Sequence, residues 1–358
     1  MRVLGEMDRT HFMKRVTSLL LALPACASLS VLATSAVPAF ANVTIVSPAS
    51  GSEVVSPLQL TASASACSSQ PIAAMGYSFD NSAQTTIVNG ASINTQLVTT
   101  LTGAHTLHVK SWGNQGASCV TSVAIILMPS PTSYVPAYAT VFKGVQALPT
   151  WLAVNDTGSG GGTSSGVMNV VASPSLTGSA RKFATTFTNN GGQRYFATIG
   201  ANTLVSNFLY DGWVYIGGSS NGIANIEMDM NQVMANGETV IYGFQCDGWS
   251  NTWDYTANEG TPTNPSDQWL HTQAPCSPRN WSTNAWHHVQ ISYSRDQYGT
   301  VTYNSVWLDG LEQDLHATVS SAFALGWGSV LLTNFQVDGM GASGSSTVYL
   351  DNLTVYGW

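Results

Sequence analysis

Ile226-Glu227-Met228-Asp229-Met230-Asn231-Gln232 holds the densest candidate chemistry in the chain. Apolar and polar residues alternate through it, the period of a strand with two unlike faces. Alternation puts Glu227, Asp229 and Asn231 on one face and Ile226, Met228 and Met230 on the other. The methionines would face a core and the acids a surface that a ligand can reach. Paired carboxyls can exchange protons with a substrate or accept hydrogen bonds from its hydroxyls. The plain alternative is an ordinary strand that happens to carry two acids.

The second candidate follows at once. Between Cys246 and Cys276 stand Trp249, Trp253, Tyr255 and Trp269, interleaved with Asp247, Asn251, Asp254, Asn258 and Asp267. Gln245 precedes the stretch and Trp281 follows it. We read it as a long loop without strand period, and loops of that length carry function or are disordered. Flat aromatic rings cover the apolar faces of sugars, while acids and amides bond to the hydroxyls. The interleaving therefore points to a neutral saccharide, with Asn231, Gln245, Trp249, Trp253, Tyr255 and Trp269 as binding residues. The alternative is that these aromatics pin the loop onto the fold as a small core.

The elements that must position these residues are strands. Only 8% of the 358 residues are charged, against about 25% usually. Glycine (33) and tryptophan (11) are plentiful. Such a composition excludes charge-driven disorder and long helical arrays. The net charge of −8 argues against a nucleic-acid surface. Residues 1–41 read as a secretory leader: Lys14 and Arg15, an apolar run from Val16 to Val31, then an Ala39-Phe40-Ala41 cleavage pattern. No later stretch is apolar for long enough to span a membrane. The expected location is extracellular or at the cell surface. Removing the leader takes Cys26 and leaves Cys67, Cys119, Cys246 and Cys276, an even number that fits two disulfides in any of three pairings.

Residues 42–128 alternate in short runs, such as Leu58-Gln59-Leu60-Thr61 and Thr106-Leu107-His108-Val109, which predicts a small β-sandwich. Pro129-Ser130-Pro131-Thr132-Ser133 opens a stiff linker over 129–135. Residues 136–358 again carry strand-like runs, at 181–187, 212–216, 224–231, 239–245, 286–293, 300–308, 330–337 and 347–356. One helical turn is expected at 320–325. The fold class is all-β, with a small sandwich before a larger sandwich or jelly roll.

The first unit resembles the bacterial immunoglobulin-like domains of exported proteins, on Val43-Thr44-Ile45-Val46-Ser47-Pro48 and Gly103-Ala104-His105-Thr106-Leu107-His108-Val109. That topology brings Cys67 and Cys119 to one end of the sandwich and implies a bridge between them, leaving Cys246 for Cys276. Trp286-His287-His288-Val289 and Val306-Trp307-Leu308-Asp309-Gly310 resemble the paired motifs of laminin G-like, concanavalin A-like jelly rolls, as does the closing Val348-Tyr349-Leu350-Asp351-Asn352-Leu353. This fold hosts lectins, glycosidases and lyases. The Glu227 strand resembles the E-x-D-x-E strand of laminarinase-type and cellobiohydrolase-type retaining glycosidases. The resemblance makes Glu227 the nucleophile and Asp229 its tuning partner. Amides, Asn231 and Gln232, stand where the acid/base would be, and an amide cannot donate the proton a leaving oxygen needs. Three functions follow: a carbohydrate-binding module, a divergent retaining hydrolase that draws its acid from Asp247, Asp254, Glu259 or Asp267, or an adhesion module marked by a flat apolar patch above Glu227.

Other motifs count for less. Gln245, Arg194, Tyr195 and His271 supply the residue types of a uronate lyase, but none of the R-x-E-x-R, Q-I-H or Y-x-K-x-G motifs is present. Asp156-Thr157-Gly158 opens a Gly-rich loop and has no second copy. His287-His288 reads as structural. No cofactor is expected; Asp351-Asn352 are the residues that would hold a structural Ca2+.

Overall fold

A computed structural model describes residues 43–81, 84–156 and 161–358. The leader, and most of the Gly-rich loop after Asp156, lie outside the described residues. The protein is all-β, built as two sandwiches with separate hydrophobic cores.

In the first sandwich, Leu58–Ser63 turns Leu58, Leu60 and Ala62 inward and Gln59, Thr61 and Ser63 outward, as a period of two requires. It pairs with Thr44–Ser47 and Ser92–Leu97 in a three-stranded sheet. Met75, Leu107, Val109, Ile125 and Leu127, from the strands Ile72–Phe79, Gly103–Gly113 and Ser118–Met128, complete the core. A Cys67–Cys119 disulfide closes it, with Cα atoms 5.8 Å apart.

The larger sandwich packs a nine-stranded sheet against the part of a thirteen-stranded one that runs from Thr163–Val171 to Leu311–Ser320. The path of the nine-stranded sheet runs Leu152–Asp156, Gly192–Gly200, Leu331–Gly339, Ile223–Val233, Phe244–Asp247, Thr252–Asn258, Asp267–Pro275. Its inner face gives Tyr195, Ile226, Met228, Met230, Phe244 and Phe335 to a core shared with Phe183, Phe208, Tyr210, Tyr293 and Tyr303 of the facing sheet. Aromatic rings supply most of these core side chains, because they fill the space over a pleated surface well.

The thirteen-stranded sheet does not stop at the sandwich boundary. Leu311 pairs with Val54, so the sheet of the second unit runs on into the first. The turn Asp309-Gly310 makes the join. The Val55 N–H donates to Gly310 O at 2.6 Å, and the Gln59 N–H to Asp309 O at 3.1 Å. Gly310 has φ +84°, and a Cβ there would run into Val55 O and Pro57 O, so only glycine fits the join. Val55, Leu209 and Trp307 seal it with an apolar cluster that includes Val135, Tyr356 and Trp358.

Two sequence expectations are corrected. The turn of helix at 320–325 is absent: Ala322–Phe323 forms a short strand on Thr239–Tyr242, and Ser321 Oγ donates to Ile241 O at 2.5 Å. The stretch 246–276 is not a structureless loop. It folds as a β-hairpin of Thr252–Asn258 and Asp267–Pro275 that extends the nine-stranded sheet, and the Cys246–Cys276 disulfide clips its base. The period was there to be read, in Trp253-Asp254-Tyr255-Thr256-Ala257-Asn258.

Candidate functional site

The outer face of the nine-stranded sheet is polar from one edge almost to the other. Register places Val154, Arg194, Gln336, Glu227, Gln245, Asp254 and His271 in one row across it. Next to this row stand Leu152, Phe196, Asn334 and Asp229, with Thr256 and Trp269 beyond them. Half-buried Phe196 and Trp269 thus flank a floor of amides and carboxyls. Glu227 is 7% exposed and Asp229 5%, although they face away from the core. The polar side chains cover one another. An adhesive apolar patch over Glu227 is not what the register builds there.

Glu227, Asp229 and Asn231 share this outer face, opposite Ile226, Met228 and Met230 in the core. Gln232 does not join them. It points inward, donates to Val205 O and accepts from Tyr242 Oη and Arg295 Nε. Of the two amides at the acid/base position, only Asn231 faces the site. It is 4% exposed, and among the described residues its Oδ1 has no hydrogen-bond partner.

Asp338, which sequence reasoning missed, is the second carboxyl beside Glu227. Gln336 Nε2 donates to Glu227 Oε1 at 2.8 Å and to Asp338 Oδ1 at 3.0 Å. Both oxygens hang on one nitrogen, so they stand no more than about 6 Å apart. Asp338 reaches this place because Gly192 lies opposite it on the neighbouring strand: a Cβ at Gly192 would collide with Asp338 Oδ1. The signal in the sequence is Gln336-Val337-Asp338, an alternating polar pair, but only the register sets it beside Glu227.

Burial pushes Glu227 well above the ordinary carboxylate range, and the charges of Asp338, Asp229 and Asp156 add to it, while Arg194 opposes. Burial also raises Asp229 to about 7, against hydrogen bonds from the Phe244 N–H (2.9 Å) and the Asn334 amide. Asp254 rises to about 6, again mainly through burial.

The hairpin aromatics divide by face. Trp253 is fully buried and stacks on Phe244 at 5.2 Å between centroids. Tyr255 packs inward on Tyr303. Neither can meet a ligand on the outer face, because alternation turns them into the core with Ala257. Gln245, Trp269 and Asn231 lie on the outer face, and Trp249, 48% exposed, tips the turn beside Asp247. Of the lyase residue types, Tyr195 is in the core, apart from Arg194, Gln245 and His271.

Asp247, Asp254 and His271 bring one ligand atom each within 4.8 Å of one another and could hold a metal. Their oxygens already serve donors: Asp247 takes the Trp249 and Ser250 N–H groups, and Asp254 takes His271 Nδ1 and the hydroxyls of Ser250 and Thr252. The carboxylate of Asp351 accepts from Ser175 Oγ, Thr177 Oγ1, Gln146 Nε2 and the N–H groups of Leu176 and Asn352. His287 and His288 are both buried and bound to carboxylates, Asp309 and Asp211, each at 2.7 Å.

No protein-family model matches the chain, and no curated protein does. Among solved structures, one similar chain comes from work on the promiscuous specificity of carbohydrate-binding modules of the β-sandwich superfamily. It is 13% identical over 88% of this chain and 98% of that one, with a TM-score of 0.30. A family 11 carbohydrate-binding module from Clostridium thermocellum, bound to a β-1,3-1,4-mixed-linked tetrasaccharide, is 11% identical over 62% and 96%, with a TM-score of 0.29. An alginate lyase from Chlorella virus is 8% identical over 58% and 93%, with a TM-score of 0.36. At these scores no functional conclusion rests on them.

Proposed function

We propose that the outer face of the nine-stranded sheet binds a neutral saccharide, and that the protein is an exported carbohydrate-binding protein. The observation that carries this is the floor of Gln336, Glu227, Gln245, Asn334 and Asp229 between Phe196 and Trp269. Sugar hydroxyls both donate and accept, and this floor offers amides for both roles and carboxyls that accept. The two rings give apolar surface at the flanks, where the C–H faces of sugar rings need cover. The unpartnered Asn231 Oδ1 awaits a donor, and a hydroxyl supplies one. The net charge of −8 disfavours polyanionic chains. Two disulfides fit an oxidising compartment.

Affinity electrophoresis through gels holding mixed-linkage β-glucan, laminarin, xylan, glucomannan or hydroxyethylcellulose tests the reading. The protein should be retarded in at least one of them. Unchanged mobility in all five sinks the proposal.

A further inference from the structure

We propose that Glu227 and Asp338 form a catalytic carboxyl pair that cleaves a glycosidic bond of the bound saccharide with retention, Glu227 giving the proton and Asp338 attacking the sugar. This rests on the saccharide reading above and adds an activity to it. Retaining cleavage needs two carboxyl groups roughly 5–5.5 Å apart, and the common bond to Gln336 Nε2 keeps the bonded oxygens of these two within about 6 Å of each other. They belong to adjacent strands, so the pair is built across the sheet and not along one strand. The vacancy at Asn231 therefore does not leave the site without a second acid.

The roles follow from the surroundings. Glu227 is 7% exposed, buried among like charges, and a carboxyl so placed keeps its proton. Asp338 is half-exposed at the end of its strand, so it is the more accessible member of the pair and takes the part of attacking group. This reverses the part that the E-x-D-x-E resemblance gives Glu227. Independent of the acids, Asn231 marks a ligand on the same face: a buried amide with an unpartnered oxygen, four residues along the strand. Four residues span roughly 13 Å. A ligand that meets both places is an oligosaccharide chain.

The chemistry balances with water alone. A carboxylate oxygen of Asp338 bonds to the anomeric carbon as the bond from that carbon to the leaving oxygen breaks. The Glu227 proton passes to the leaving oxygen. Water then bonds to the anomeric carbon, Glu227 takes back a proton from it, and the ester to Asp338 breaks to free the carboxylate.

The test incubates the full chain with whichever of the five glycans retards it. Reducing ends are measured, and the anomer first released is read by NMR. Reducing ends should appear with retained configuration. Glu227→Gln and Asp338→Asn should each lower the rate by roughly a thousandfold. Sodium azide should restore cleavage to Asp338→Ala and yield the glycosyl azide. Should a carboxyl variant fail to fold, Gly192→Ala displaces the Asp338 carboxyl without removing it, and should also abolish release. A glycan that retards the protein yet gives no reducing ends overturns the pair and leaves the binding reading standing. So does release that survives in Asp338→Asn. No retardation by any glycan removes both.

Discussion

Trp253→Ala is expected to lower the unfolding free energy by about 3–5 kcal/mol, the usual loss for a large aromatic cut from a closed core. Trp253 is fully buried, stacked on Phe244 and tilted against Trp281, so no neighbour can collapse into the space it leaves. Trp249→Ala should change stability by less than about 0.5 kcal/mol, because that ring is 48% exposed. The two residues are four apart in one aromatic-rich stretch, and sequence alone treats them alike. Urea unfolding of both variants separates them. A cost below about 1 kcal/mol for Trp253→Ala would mean that the ring is not in the core.

Stability should be greatest at about pH 4–5 and fall as the pH rises to about 8. The sign comes from the outer-face acids. Burial raises Asp229 to about 7 and both Asp254 and Asp267 to about 6, and it lifts Glu227 well above its ordinary value. Folded, these groups hold protons that the unfolded chain has already lost above about pH 4. Their contribution is complete below that point and disappears as the pH passes through 6 to 7. His287 acts in the same direction at higher pH: burial is the largest single effect and lowers it, but the hydrogen bond and charge of Asp309 and the Ser282 carbonyl together outweigh burial, and the net shift is upward. Asp351 opposes at the acid end. Its burial is outweighed by donors from Ser175 and Thr177, its pKa is lowered, and its contribution is lost only as the pH falls below about 4. Denaturation midpoints across this range check the profile, and Asp229→Asn should flatten the decline. A midpoint that climbs steadily from pH 5 to 8 would contradict it.

Much of the fold is legible in the sequence because the period of two is local. Leu58-Gln59-Leu60-Thr61 and Met228-Asp229-Met230 each declare which face is buried. Alternation likewise separates Glu227 and Asp229 from the core. Where the reading fails, the cause differs by residue. The aromatics at 253 and 255 are taken together with Trp249 and Trp269 because composition ignores which face a residue takes; the hairpin turns Trp253 and Tyr255 into the core and Trp269 outward, while Trp249 stands in the turn. The helical turn at 320–325 loses to pairing with Thr239–Tyr242, a partner about 80 residues away in the chain. Asp338 is invisible for the same reason. Its place beside Glu227 depends on the register of Leu331–Gly339 against Ile223–Val233 and on a glycine at 192 in a third strand. Phe196 has no local mark either, and only strand order brings it to face Trp269 across the polar floor.

The central claim is that this floor and its two flanking rings hold a saccharide. Calorimetric titration of an oligosaccharide from the retarding glycan into the wild type, Phe196→Ala and Trp269→Ala tests it most directly. Each ring removed should weaken binding by roughly tenfold, the loss of about 1.4 kcal/mol of stacking contact, with the unfolding midpoint unchanged. Equal affinity in all three proteins would place the saccharide elsewhere and contradict the account.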